Sequence, residues 1–263
     1  MLPRYDRQSQ KGSTAVTTSE SQAGSSPVST RTEIAALIFA LTFPTLLTWV
    51  YFIWLAQSSA GLQQAAYSIG KVIQFGFPVF WFVCVQRQRL SRPQFRRDGL
   101  LLGGLFGLAV VAAMFGAYHL WLKPSGTFAA AADAVREKVA GMGLNSATKY
   151  AAVGIFYAAL HSLLEEYYWR WFVFGQLRRV TSLVPAIAIS SLGFMAHHVI
   201  VLSHYFGWGS FLSLFFSLGV AVGGVAWAWL YHHSRSLLGP WLSHAIVDAG
   251  IFLVGFEIVK SAW

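Results

Sequence analysis

The stretch His161-Ser-Leu-Leu-Glu-Glu-Tyr-Tyr-Trp-Arg170 places two adjacent carboxylates and an arginine in a segment that is otherwise mainly apolar and aromatic. A charged side chain at the centre of a bilayer costs about 2.5 kcal/mol or more, so it indicates a functional site by default. Whether this stretch lies in a membrane therefore bears on both the fold class and the function.

The composition is typical of a membrane protein. Of 263 residues, 56% are hydrophobic and 11% are charged, and the mean hydropathy is +0.53, whereas soluble domains carry about 25% charged residues. The net charge of +9 comes in short clusters between apolar runs, which is typical of cytoplasmic loops and argues against a nucleic-acid partner. Cys84 is the only cysteine, which excludes disulfide frameworks and cysteine metal clusters.

Apolar segments near the ~20 residues needed to span a bilayer recur along the chain. They predict an all-α, polytopic membrane helix bundle of about seven transmembrane helices, at 33–56, 64–86, 99–122, 147–177, 182–203, 210–231 and 237–259. Residues 124–146 contain a charged run that predicts a short amphipathic helix on the outer surface. A re-entrant piece in that segment would change the count, for example to eight.

The orientation follows from the loops. Residues 1–32 are polar and predict a disordered cytoplasmic tail, and no apolar stretch typical of a signal peptide appears before Ile34. Basic clusters follow the second, fourth and sixth spans, at Arg87, Arg89, Arg92, Arg96 and Arg97, at Arg178 and Arg179, and at His232, His233 and Arg235. With seven spans they share the side of the N-terminus, so the positive-inside rule predicts a cytoplasmic N-terminus.

The two adjacent carboxylates point in different directions on a helix, because successive residues are about 100° apart. Glu165 shares a face with His161, and Glu166 shares a face with Arg170 in the order that favours an ion pair. We therefore expect Glu166 and Arg170 to form a structural pair and Glu165 to be free for chemistry. The alternative is that all of them form an interfacial ion-pair network.

Two later spans contain further ionisable groups, in Gly193-Phe-Met-Ala-His-His198 and Pro240-Trp-Leu-Ser-His244-Ala-Ile-Val-Asp248. Asp248 lies one turn after His244, where a carboxylate can orient an imidazole through its ring N–H. The helical rise places Glu165, His198 and Asp248 about 20 Å, and His244 about 13 Å, from the cytoplasmic ends of their helices. This shared depth predicts one active or ion-binding site.

These residues resemble the three motifs of the CPBP family of intramembrane endopeptidases, the CAAX proteases and bacteriocin-processing (Abi-type) enzymes. The motifs are Glu-Glu-x-x-x-Arg, Phe-x-x-x-His and His-x-x-x-Asn or Asp. Here they read Glu165-Glu166-Tyr-Tyr-Trp-Arg170, Phe194-Met-Ala-His-His198 and His244-Ala-Ile-Val-Asp248. His197 departs from the pattern, and the spacing from Phe194 selects His198.

To the tail 1–32 and the N-terminal transmembrane helices with an extracytoplasmic amphipathic segment over 33–146, the resemblance adds a four-helix catalytic core over 147–260. It implies a peptidase in which Glu165 and His198 activate water. His244 would bind the oxyanion and Asp248 would hold its ring. The supporting residues would be Glu166, Arg170, Phe194 and His161.

The same resemblance favours a glutamate-type mechanism with no cofactor. Two carboxylates and two imidazoles also make a chemically reasonable Zn²⁺ site, whose ligands would be Glu165, His198, His244 and Asp248. The expected partners are the lipid bilayer and a peptide or membrane-protein substrate. The expected location is the cell membrane, as a multi-pass protein of a bacterial inner membrane.

Two other function classes stay open. One is a non-catalytic immunity or scaffold protein of the same fold. The other is an ion-coupled transporter that uses Glu165, His198 and His244 as a relay. Against the transporter, the sequence lacks the repeated halves that many transporters show.

Overall fold

The computed structural model describes residues 29–87 and 94–260. All regular structure in these two ranges is helical, which confirms the predicted all-α fold. Eight helices are described: α1 (Thr30–Trp54), α2 (Ala60–Val85), α3 (Leu100–Leu122), α4 (Ala129–Gly141), α5 (147–180), α6 (Leu183–Phe206), α7 (Phe211–Ser234) and α8 (Leu238–Val259). The predicted tail lies outside the described residues up to position 28, as do Arg89 and Arg92.

Six of the described helices are long and apolar enough to cross a membrane, namely all except α4 and α5. Their outward surfaces expose large apolar side chains such as Val72, Leu101, Leu120 and Val184, as lipid-facing helices do. The protein is a multi-pass membrane protein. The segment 147–177, counted as a span from the sequence, is a helix, but its charged and polar side chains make it less apolar than the other six.

The amphipathic helix predicted within 124–146 is present as α4. Its side chains connect it to the ends of two longer helices. Arg136 Nε donates to the carbonyl oxygen of Ile258 at 3.2 Å, and Lys138 Nζ donates to the Tyr51 hydroxyl at 2.7 Å. These bonds dock α4 against the end of α8 and the last turn of α1.

Helix α5 lies at the centre of the bundle. Every residue of 167–174 in its second half is buried or half-buried, as expected for a helix with neighbours on every side. Tyr168, Trp169, Phe172 and Val173 are buried in a core to which α1, α2, α6 and α7 all contribute. The Tyr168 hydroxyl donates to the Ala40 carbonyl at 2.8 Å. The core therefore holds α5, and with it the acidic pair, in a fixed position.

Helices α3 and α8 approach each other through glycine. A Cβ added at Gly103 would lie 2.2 Å from the Gly239 carbonyl oxygen, and one at Gly107 would lie 2.9 Å from the Ser243 carbonyl oxygen. Small residues four apart allow this close backbone contact in membrane helices. Just before α8, Ser236 Oγ donates to the Arg96 carbonyl at 2.6 Å and accepts the Arg96 N–H at 2.9 Å. Together these contacts fix the position of α8 along the bundle.

Candidate active site

The Glu165 carboxylate is the centre of a buried cluster of ionisable groups drawn from four helices. Its Oε1 lies 3.8 Å from each of three nitrogens, those of Lys71 Nζ, His161 Nε2 and His197 Nε2. Its Oε2 lies 3.8 Å from His244 Nε2. These separations are too long for direct hydrogen bonds. Of the residues that the sequence placed at a shared depth, this set of contacts includes Glu165 and His244.

The second carboxylate of the pair, Glu166, has a different environment. Its Oε2 lies 3.1 Å from Arg170 Nε, and the two side chains are 0% and 1% exposed. The Arg170 guanidinium also lies over two aromatic rings, 4.7 Å from the centroid of Phe194 and 5.2 Å from that of Trp227. The predicted ion pair is therefore present and fully buried, and aromatic faces stabilise its cation.

The His244 imidazole is held on two sides. Its Nδ1 lies 2.9 Å from Glu166 Oε1, and since an ionised carboxylate can only accept, Nδ1 is the donor. The ring stacks on Trp227 with centroids 4.2 Å apart and planes 14° apart. Trp227 in turn donates from Nε1 to Ser243 Oγ at 2.9 Å. Nε2 is left directed towards Glu165.

The orienting partner of His244 differs from the expected one. The sequence assigned this role to Asp248, but Asp248 Oδ1 lies 3.7 Å from His244 Nε2, beyond hydrogen-bonding distance. Glu166 takes the role because the packing of α5 against α8 places its carboxylate beside Nδ1. Glu166 therefore serves both Arg170 and His244, and Asp248 stands at the more open side of the ring.

Both adjacent histidines of α6 lie in the cluster. His198 Nδ1 lies 2.9 Å from the Phe194 carbonyl oxygen, so Nδ1 donates and Nε2 is left as an acceptor in the neutral ring. Its ring centroid is 4.6 Å from that of Phe194, the residue that selected His198 in the sequence. His197, however, is the one within 3.8 Å of Glu165, and it stacks on Trp169 with planes 6° apart.

One set of residues in the described part of the chain is arranged so that it could hold a metal ion. Ligand atoms of Glu165, His197 and His198 all lie within 4.8 Å of one another. One carboxylate oxygen and two imidazole nitrogens are a donor set that suits Zn²⁺. This set differs from the one expected from sequence, since it includes His197 and leaves out His244 and Asp248.

Sequence reasoning missed two residues of the cluster. Lys71 is the one charged residue in the apolar span that became α2, and a lone charge in a span was a signal that could have found it. Trp227 gave no comparable signal, because tryptophans are common in membrane helices.

The fold and the site define a polytopic membrane protein with a buried carboxylate–imidazole centre. Residues 147–250 match the family model described as Rce1-like, type II CAAX prenyl endopeptidase Rce1-like. This region runs from α5 into α8 and contains all three motifs, and the match supports the resemblance to the CPBP family of CAAX proteases. No curated protein and no solved structure matches the chain.

Proposed function

We propose that this protein is an intramembrane endopeptidase that hydrolyses a peptide bond of a membrane-associated substrate. The family name suggests the substrate class, a C-terminus with a prenylated cysteine followed by three residues. The observation that carries the proposal is the buried Glu165 carboxylate with three imidazole nitrogens, those of His161, His197 and His244, at 3.8 Å.

The separations suit a shared water molecule. Groups 3.8 Å apart do not hydrogen-bond directly, but one water can bond to both. Glu165 is the proposed general base, which takes a proton from the water as its oxygen attacks the substrate carbonyl carbon. His198, whose Nε2 is an acceptor, is the second group available to hold that water. When the tetrahedral intermediate collapses, the C–N bond breaks and the proton passes to the departing amine.

His244 is the proposed donor to the oxyanion. Because its Nδ1 donates to Glu166, Nε2 can donate only when both ring nitrogens carry protons. Carboxylates lie near both nitrogens, at 2.9 Å from Nδ1 and 3.7 Å from Nε2, and both favour a positively charged ring. A donor placed in this way stabilises the negative charge that develops on the carbonyl oxygen.

A Zn²⁺ ion held by Glu165, His197 and His198 would add Lewis-acid polarisation of the scissile carbonyl. The donor set fits the ion, and the glutamate-type route described above does not require it.

The proposed orientation has a cytoplasmic N-terminus in the cell membrane. Support comes from contacts between the basic loops. Arg179 at the end of α5 pairs with Glu33 at the start of α1 at 3.5 Å, so this basic cluster adjoins the N-terminal end. Arg96, which precedes α3, bonds to Ser236, which follows α7. Positive loops gathered in this way are typical of a cytoplasmic face.

The test is Glu165→Gln, measured with purified protein in proteoliposomes and a prenylated peptide that has three residues after the cysteine. Loss of the general base should lower the cleavage rate by about 10²-fold or more, while the variant elutes as a folded protein in detergent. The matched control is Glu137→Gln, an exposed glutamate of α4, which should cleave at the wild-type rate. If Glu165→Gln cleaved the peptide at the wild-type rate, the proposed role of Glu165 as general base would be wrong. If Glu165→Gln and His198→Ala both kept full biological activity, a non-catalytic scaffold would replace the peptidase.

A further inference from the structure

The Lys71 ammonium group has donors that its surroundings do not use. It carries three N–H donors, yet within the described residues its nearest anionic atom is Glu165 Oε1 at 3.8 Å, beyond hydrogen-bonding range. Its other contacts are the rings of Tyr67 and Phe75, one turn to either side, with centroids at 5.4 and 5.2 Å. The aromatic rings hold the cation beside the base without satisfying its donors.

Lys71 also stands at the open side of the cluster. Its side chain is 16% exposed, and those of His161 and Asp248 are 15% and 18% exposed, while that of Glu165 is 4% exposed. The two oxygens of Glu165 face different sides of this more exposed part of the cluster. Lys71 lies on the Oε1 side, and His244, with Asp248 behind it, lies on the Oε2 side.

The other basic side chain of the described cluster that is not an imidazole, Arg170, cannot reach a ligand. Arg170 is 1% exposed, is paired with Glu166, and is covered by the rings of Phe194 and Trp227. An anionic group of a substrate that entered the opening would meet negative charge at Asp248 and Glu165. Lys71 is the position in this cluster that offers it an accessible positive charge.

We propose that Lys71 binds the terminal α-carboxylate of the substrate and so selects bonds close to a free C-terminus. This inference rests on the proposed peptidase function and adds a specificity-determining residue to it. In this arrangement the departing residues lie on the Oε1 side of Glu165, and the scissile carbonyl oxygen points towards His244. The direction of the bound peptide chain follows because Lys71 lies beside Oε1 of Glu165 and His244 lies beside Oε2.

The distances allow this arrangement. Three residues in an extended chain span at most about 11 Å. Lys71 Nζ lies 3.8 Å from Glu165 Oε1. A water bonded to the base and a carbon in attack geometry each add about 3 Å. The reacting carbon therefore lies within roughly 10 Å of the ammonium group, which three residues can span.

The experiment compares two forms of one peptide in proteoliposomes. A prenylated cysteine peptide with three following residues is made as the free acid and as the C-terminal carboxamide, and kcat/KM is measured for both. The wild type should prefer the acid by about 10- to 100-fold, the value of a hydrogen bond between charged groups. Lys71→Met should bring the acid-to-amide ratio close to one, and Lys71→Arg should keep the preference.

The control is Lys149→Met, which changes an exposed lysine of α5 that bonds to Asn145 and should keep the wild-type ratio. A lysine that merely supports Glu165 would lower both rates and leave the ratio intact, and that result would overturn the inference. A wild type that cleaves acid and amide equally would overturn it too, with the peptidase function untouched. If the wild type cleaved neither peptide, the proposed function itself would fail, and this inference with it.

Discussion

Replacing Glu166 with glutamine would remove a charge that two neighbours share. The Glu166 carboxylate lies 3.1 Å from Arg170 Nε and accepts from His244 Nδ1 at 2.9 Å. Arg170 is buried under Phe194 and Trp227, so its guanidinium cannot turn to water when its partner is neutralised. The variant would therefore leave a buried, uncompensated cation.

The size of the effect follows from that burial. Removing one partner of a buried ion pair costs about 3–5 kcal/mol. Glutamine keeps one oxygen that can accept from Arg170 or from His244, so we expect a loss at the lower end, about 3 kcal/mol. Replacing both partners, as in Glu166→Gln with Arg170→Met, removes the orphaned charge. The double variant should be more stable than Glu166→Gln alone, yet still cleave slowly because His244 has lost its carboxylate.

Tryptophan fluorescence during unfolding in mixed SDS and detergent micelles would measure these free energies, since the chain has eleven tryptophans. Glu33→Gln is the control, because its pair with Arg179 is 3.5 Å long and partly exposed and should contribute less than about 1 kcal/mol. The reasoning would be refuted if Glu166→Gln lowered the free energy of unfolding no more than Glu33→Gln does. It would also be refuted if the double variant lost as much as Glu166→Gln and Arg170→Met together.

Two further predictions concern helix packing and metal. Gly103→Ala should lower the free energy of unfolding by about 1–3 kcal/mol, because its Cβ would lie 2.2 Å from the Gly239 carbonyl oxygen, while Gly104→Ala, whose Cβ would come no closer than 3.8 Å to Leu242, should be neutral. Equal stabilities of the two variants in the same unfolding assay would contradict this. Cleavage should persist after chelation in protein found metal-free by elemental analysis. The metal route would instead be established if the protein contained stoichiometric Zn²⁺ and lost both the ion and its activity on chelation. The His197→Ala variant should then contain less Zn²⁺.

The sequence predicted most of the helices and the meeting of the motif residues, for identifiable physical reasons. Runs of apolar residues long enough to span a bilayer mark helices directly. Helical periodicity determines which residues share a face. The ion pair of Glu166 with Arg170 and the proximity of Glu165 to His161 could therefore be predicted. A common rise per residue was sufficient to place His244 in the same layer.

What the sequence did not predict depends on how helices rotate against each other. Whether Asp248 or Glu166 bonds to His244 is decided by the packing of α8 on α5, which no spacing within one helix encodes. The same holds for His197, which reaches Glu165 from α6 although the motif selects His198. Lys71 belongs to a helix outside the motifs, and its relation to Glu165 exists only in the assembled bundle.

The contact between α3 and α8 shows that the region matched by the family model does not pack as a separate unit. The region that matches the family model begins at α5 and ends within α8, at residue 250. The backbone of α8 nevertheless rests on Gly103 and Gly107 of α3, far outside that region. The matched region is thus smaller than the set of helices that pack together. A chimaera that joined residues 147–260 to foreign N-terminal helices would need small residues at the same two places, because backbone lying against backbone has no side chain that can adjust.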